Sequence, residues 1–537
     1  MSEFFFRTED IKPEEVSAYF VETSKDREII NSLKARNPIV LEGSRGVGKS
    51  FLMRVAEAEL LDKFPSERVF PVYESFTKGS LIHTSDPYQF QHWMLARLCS
   101  RIIRSLAKKG MLSVMPASLS ILAGEKTAPV QIEKTKMECI AEAFEESWKN
   151  PGGAVDISGL PSIDAFKDAM EDICSTLSIS RFAIFIDEAA HILLPEQQRQ
   201  FFTLFRDIRS PHVTCNAAVY PGVTSYGETF QPAHDATMLK LDRDILADDY
   251  VSNMREIVEK QADSALMTNI AQNGQNFSLL AYASSGNPRV LLKTLARAPK
   301  VSSQQVNEVV REYYRTVIWS EHSTLLEKFV GHEDMISWGR RFIEDVVLPE
   351  LQKKNVQYLA NDRNSTCFFW IHKDAPQSVK YALRLLAYTG IVTEHASGIK
   401  ATRGEIGTRY AINLGCLFAL EARPANTAFP IAANLTPKRM SEYGANHPFF
   451  QELVASVPNF AESDLSAVLN RQLEKSINVL DITDYQAECL HGLGLDTVGS
   501  VLRATETKLQ QAYYIGEVRS RRMRNAAIAA VYEYLSG

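Results

Sequence analysis

The sequence predicts an α/β protein built on a parallel sheet, with helical and hairpin-bearing units after it. Three observations carry this. Short apolar runs alternate with stretches of helical periodicity over residues 1–220. A glycine-rich loop, GSRGVGKS, joins one such run to a helix, and a second run, FAIFID, ends in paired acids. Strands alternating with helices imply a sheet covered on both faces.

The elements follow in order. Residues 38–42, PIVLE, read as a strand, and FLMRVAEAELL after the glycine loop reads as a helix. RVFPVYESF (68–76) is a second strand, and Asp86-Pro87 opens a helix to about Lys109 with Asp86 as its N-cap. Residues 110–160 are mixed in character and read as an insertion or a partly mobile excursion. A helix at 163–177, the strand 181–187, a helix at 195–209 and the strand 213–220 complete the core pattern. Residues 243–355 are helical, 365–420 read as a helix and then a hairpin, and short helices follow from about 478.

At 537 residues the chain exceeds one hydrophobic core and calls for three or four units. Its 45% hydrophobic and 23% charged residues exclude a disordered, collagen-like or disulfide-scaffold protein. The net charge of −6 excludes a polycation, so nucleic-acid contact requires a local basic patch. No run of 18 apolar residues occurs, and the opening MSEFFFRTEDIKPEE turns acidic at once. Neither a membrane partner nor a signal peptide is expected. Seven scattered cysteines without CxxC, and eleven histidines without zinc-ligand spacing, predict reduced thiols in a cytoplasmic setting.

Gly43-Ser44-Arg45-Gly46-Val47-Gly48-Lys49-Ser50 matches the phosphate-loop pattern G-x-x-x-x-G-K-[ST]. Glycines let backbone N–H groups turn inward around phosphate oxygens, and the helix N-terminus adds its positive dipole end. Lys49 is placed to reach the β- and γ-phosphates of ATP, and the Ser50 hydroxyl to bind Mg2+. A dinucleotide fingerprint fails, because Phe51 stands where a third glycine is needed. The strand 181–186 runs into Asp187-Glu188. Asp187 at a strand's carboxyl end suits a water-mediated Mg2+ contact, and Glu188 is the candidate general base for the attacking water. His191 beside them reads as a packing or capping residue. Ser285-Gly286-Asn287-Pro288-Arg289 is a glycine break before a helix, and it places Arg289 in a first turn where the dipole disfavours a cation. A nucleotide phosphate is the natural partner for that charge.

These residues, with the upstream YFVETSKDREIINSL and the lid motif SGNPRVLL, make the chain resemble the origin-recognition-complex type (initiator-like) of AAA+ P-loop ATPases over roughly residues 16–300. The resemblance implies a P-loop AAA+ parallel-sheet core with a helical lid, followed by a winged-helix domain that binds DNA. It also implies that an arginine in the helix after the acidic pair, Arg206 or Arg209, serves as a finger for a neighbouring subunit of a homo-oligomer. A polar residue near Tyr220, at the end of the next strand, is implied as γ-phosphate sensor.

Beyond 300, the helix PQSVKYALRLLAY and the alternation of GIVTEHASGIKATRGEIGTRYAINLG form a winged-helix-like pattern, with Lys400, Arg403 and Arg409 in or near the wing. Phosphate contact and protein docking both remain open for it. The tail resembles tandem helix-hairpin-helix motifs of the RNA polymerase alpha C-terminal type, through LGLDTV and YIGEVR. Gly516, Arg519, Arg521 and Arg522 are its candidate nucleic-acid residues, and Tyr514 stands where that pattern has a glycine. Residues 503–524 carry six basic and two acidic side chains.

The expected organisation is a P-loop core over 1–240 with its insertion at about 110–160, a lid over 241–300, a winged-helix-like unit over 301–435, a linker or helical stretch over 436–477, and an all-α helix-hairpin-helix-like unit over 478–537. The expected function is an ATPase switch coupling Mg-ATP turnover to oligomerisation and double-stranded DNA. The alternative is a STAND-like signalling ATPase, in an antiviral setting, that recruits an effector protein; a transposition-targeting ATPase is a third reading.

Overall fold

Five parallel strands form the core sheet: β1 (Ile39–Glu42), β2 (Val69–Ser75), β3 (Arg181–Asp187), β4 (Val213–Val219) and β5 (Thr237–Lys240). Their spatial order is β2-β3-β4-β1-β5. The computed structural model describes every residue except 1–3, 77–78, 80–81, 114–117, 125–133, 190–194, 329–331, 457–472 and 537. Every residue of β3 and β4 is buried, as strands covered on both faces must be. On one face Val40, Val72, Ile184 and Ala217 pack under the helices Gln89–Lys108, Ile163–Thr176 and Pro195–Asp207. On the other, Leu41, Phe185 and Ala218 pack under Ser24–Lys34 and Lys49–Glu67. The α/β class is therefore as expected.

Three local readings change. β5 was not anticipated, because its four residues are mostly exposed and too few to carry a periodic signal; parallel pairing with β1 makes it a strand. The helix after Asp86 begins only at Gln89. Asp86 instead closes a turn, accepting from the Tyr88 N–H at 2.8 Å and pairing with His92 Nδ1 at 2.6 Å. The expected insertion at 110–160 is no loose excursion where it is described. Its helices Leu119–Ala123 and Lys136–Glu145 put Leu119, Leu122, Met137, Ile140 and Phe144 into the core, none more than 3% exposed. Each such burial contributes about 1.5–3 kcal/mol, so these helices wall the sheet.

A second sheet holds β6 (Phe368–His372), β7 (Val392–Lys400), β8 (Ile406–Ile412) and β9 (Ser441–Tyr443) in the order β7-β8-β6-β9. The helix Gln377–Tyr388 precedes the β7–β8 hairpin. One apolar core runs from Tyr250 to Leu453, so the lid helices and the hairpin-bearing unit share an interior across residue 300. The tail has its own small core, from Leu473 to Ala527, around the helices Asp484–Gly492, Val498–Arg503, Glu506–Leu509 and Glu517–Ser536. Among the described residues no helix is long and apolar enough to cross a membrane.

Candidate functional site

The parallel sheet brings the carboxyl ends of β1, β3 and β4 to one edge, where open α/β sheets place their ligands. β1 ends at Glu42 and turns into the glycine loop, β3 ends at Asp187, and β4 ends at Val219 with Tyr220 next. β4 lies between β1 and β3, so the loop and the acidic pair are one strand apart.

The loop is shaped by glycines at positions where a side chain would clash or strain the backbone. Gly46 has φ +87°, and a Cβ there would lie 2.8 Å from Asn287 Oδ1 and 3.0 Å from the Arg289 Cβ. Gly48, at φ +108°, caps the helix Lys49–Glu67. The Lys49 ammonium is buried, donates to the carbonyls of Gly43 (2.6 Å) and Ser44 (3.2 Å), and lies 3.9 Å from the centre of the Tyr220 ring. Burial pulls its pKa down to about 7, against the nearby Asp187 and Glu188 carboxylates, while Arg289 pushes it lower. An ammonium held in so dry a place gains most from an anion brought against it.

Asp187 is 3% exposed and held on both oxygens. Tyr73 Oη donates to Oδ2 at 2.6 Å, and the Glu188 N–H donates to Oδ1 at 2.9 Å. Glu188 sits in the left-handed region, φ 54°, which turns its side chain out of the strand line. Burial first, then the charges of Asp187 and Glu9, push its pKa up to about 7. A carboxylate poised there is a competent base near neutral pH. His191 lies outside the described residues.

The lid turn reaches into the same place. Asn287 Nδ2 donates to the Arg45 carbonyl at 2.8 Å, and Arg289 Nε donates to the Phe6 carbonyl at 2.7 Å. Arg289 therefore lies beside the glycine loop. Tyr250 Oη holds the turn, accepting from the Gly286 N–H at 2.8 Å and donating to the Ala281 carbonyl at 2.7 Å. Ser285 Oγ accepts from the Leu414 N–H at 2.8 Å, which ties the turn to the end of β8.

Three contributors escaped sequence reasoning, and a fourth, Tyr220, was marked only as the neighbourhood of an expected sensor. Tyr220 covers Lys49 with its ring and meets Tyr388 edge-on, centroids 5.4 Å apart. Tyr388 ends the helix before the hairpin, so the phosphate loop touches the C-terminal unit through two rings. Arg243 donates to the Val47 carbonyl at 2.7 Å and faces Asp26 at 3.7 Å. The segment 4–11 straps the site, with Phe4 and Phe6 on the lid core and Phe5 on the sheet core. Glu9 in that strap acts on Glu188. The only signal for these was a triplet of phenylalanines and a tyrosine at a strand end.

The other expected residues are scattered. Arg206 is committed to Asp207 (2.8 Å) and the Thr229 carbonyl (2.6 Å), whereas Arg209, just past the helix, is exposed. Lys400 and Arg403 are exposed at the β7–β8 tip. Arg409 lies in β8 of the same hairpin, where it is half-buried, donates to the Pro437 carbonyl at 2.7 Å, and stacks 5.5 Å from the Phe368 ring. Mid-strand placement in β8 turns it inward. In the tail Gly516, Arg519, Arg521 and Arg522 are all exposed, with Arg521 paired to Glu517 and Glu506.

Residues 4–71 match the family model described as ORC-CDC6-like, the family that the phosphate loop and its upstream helix resemble. No curated protein matches the sequence. Among solved structures, a Walker-type ATPase of Pyrococcus abyssi aligns at 12% identity over 79% of this chain and 97% of its own, with a TM-score of 0.35. The Aeropyrum pernix ORC1 protein in complex with DNA aligns at 13% identity over 78% of this chain and 95% of its own, with a TM-score of 0.27.

Proposed function

We propose that the chain is an ATP-hydrolysing switch of the AAA+ type that couples the state of its phosphate loop to association with double-stranded DNA. The observation that carries this is convergence. Gly46, Lys49, Asp187, Glu188 and Arg289 come from four separate elements and meet at one sheet edge, with Lys49 and Glu188 both drawn to about 7. The cradle fits a triphosphate: a Cβ at Gly43 or Gly46 would clash at 2.8 Å, Gly46 and Gly48 hold left-handed backbone, and its buried ammonium has two carbonyls and a ring around it.

Ser50 and Asp187 would hold Mg2+, which needs few protein oxygens when phosphates complete its shell, and it would neutralise charge building on the β- and γ-oxygens. Lys49 leaves the Gly43 and Ser44 carbonyls to meet the β- and γ-phosphates, which uncovers the Tyr220 ring. Glu188 orients the attacking water and accepts its proton. Arg289 draws the lid toward the phosphates, and an exposed Arg209 from a second copy completes the charge. Movement at Tyr220 passes to Tyr388 and so to the hairpin-bearing unit.

The pH dependence has a defined sign. kcat/KM for ATP is expected to rise toward pH 7 as Glu188 ionises, and to fall above it as Lys49 loses its proton, since each is drawn to about 7. A profile flat from pH 6 to 9 contradicts both assignments.

The function is tested by measuring phosphate release with and without duplex DNA across a salt series. Stimulation by DNA that fades as salt rises is expected, and Tyr388→Ala should retain basal turnover while losing the stimulation. Turnover that is blind to DNA at every salt concentration sinks the DNA-coupled reading in favour of a signalling ATPase that recruits an effector protein.

A further inference from the structure

We propose that the second hairpin of the tail is a stacking platform for unpaired nucleic-acid bases, an inference that deepens the nucleic-acid reading above and rests on it. The two hairpins are laid out alike. In the first, Leu493-Gly494-Leu495 joins Asp484–Gly492 to Val498–Arg503; in the second, Tyr513-Tyr514-Ile515 leads from Glu506–Leu509 into Glu517–Ser536. Leu495 and Ile515 are the equivalent buried anchors, each 4% exposed. Gly494 has φ +69° and Tyr514 has φ +64°, so the backbone makes the same left-handed turn twice.

Only the first hairpin uses the residue that this turn favours. Tyrosine is strained there, because its Cβ crowds the backbone. Nor does its ring repay the strain by burial: Tyr514 is 72% exposed, Tyr513 82% and Val518 82%. A side chain that costs the backbone and adds nothing to the core has its use outside the fold.

The rings are also held ready. Tyr485 Oη donates to the Tyr513 carbonyl at 2.6 Å, and Arg519 Nη1 donates to the Tyr514 carbonyl at 2.8 Å. The hairpin is thereby pinned from both sides with its rings facing solvent, centroids 5.5 Å apart. Arg519 lies 5.8 Å from the centre of the Tyr514 ring, and Lys508 and Arg522, both exposed, flank the rings in sequence, in a stretch with six basic and two acidic residues. Exposed aromatic faces beside backbone-tracking cations are the combination that binds single strands. A duplex offers its phosphates to the cations but hides the base faces from the rings. The positive rim selects a nucleic acid over an apolar protein surface.

The test uses the full chain with labelled single-stranded oligothymidylate and a labelled mixed-sequence duplex, in anisotropy titrations of wild type, Tyr514→Gly and Tyr513→Ala. Tyr514→Gly keeps the turn and relieves its strain, so its thermal midpoint should equal or exceed that of wild type. Each variant should lose roughly 5- to 100-fold in single-strand affinity, with duplex affinity changed less than about twofold. Single-strand affinity equal to wild type in both variants overturns the platform and leaves duplex association standing. Failure of wild type to bind either probe at low salt overturns the platform and the DNA-associated reading together.

Discussion

Replacing Glu188 by Gln is expected to lower ATP turnover by about 10²- to 10⁴-fold, the range general-base catalysis supplies, while ATP binding stays near wild type. The substitution keeps the shape and removes only proton acceptance. Glu188 follows β3 rather than the glycine loop, so binding and chemistry should separate. The backbone turn at φ 54° is a second reason for confining the change to the side chain, since it sets where the carboxylate points. Phosphate release and equilibrium binding of a labelled ATP, measured on the same preparation, check this. Loss of binding equal to the loss of turnover would assign Glu188 to the cradle rather than to the base.

Lys49→Met should weaken ATP binding by about 10- to 100-fold, because a charge-assisted contact contributes about 1.5–3 kcal/mol and each 1.4 kcal/mol is tenfold. The same variant makes a second, independent prediction about stability. Lys49 holds its proton only to about pH 7 in the folded chain, and to about 10.4 when unfolded. Between those values the unfolded state binds more protons, so raising the pH favours the folded wild type. Wild type should therefore gain stability relative to Lys49→Met from pH 7 to pH 10, and the difference should be constant below pH 7. Thermal midpoints of both proteins without nucleotide, taken across that range, decide it. Parallel curves would show that Lys49 is not desolvated.

Legibility differed by region for physical reasons. The glycine loop and the acidic pair were readable because their chemistry is local: consecutive residues make the cradle, and a strand end presents the acids. Arg289 was readable from a local misfit, a cation at a helix N-terminus. Tyr220 was not, since its role arises only where β4 slots between β1 and β3 and the helix Gln377–Tyr388 comes up against it. β5 and Arg243 were hidden because an exposed edge strand carries no periodic signal. The half-burial of Arg409 in β8 was hidden, because strand register, which decides whether a side chain turns inward or out, follows from pairing and not from spacing.

By itself, then, the sequence determined the α/β class, the phosphate-binding loop, the acidic pair and the cation opposed to its helix dipole, all properties of contiguous residues. The tertiary structure alone decided that the helices Leu119–Ala123 and Lys136–Glu145 wall the core, that the lid shares one interior with the hairpin-bearing unit, and that two tyrosines connect Lys49 to that unit. Those are contacts between residues far apart in the chain. They arise from which apolar faces meet, and nothing in the order of amino acids names that choice before the chain packs.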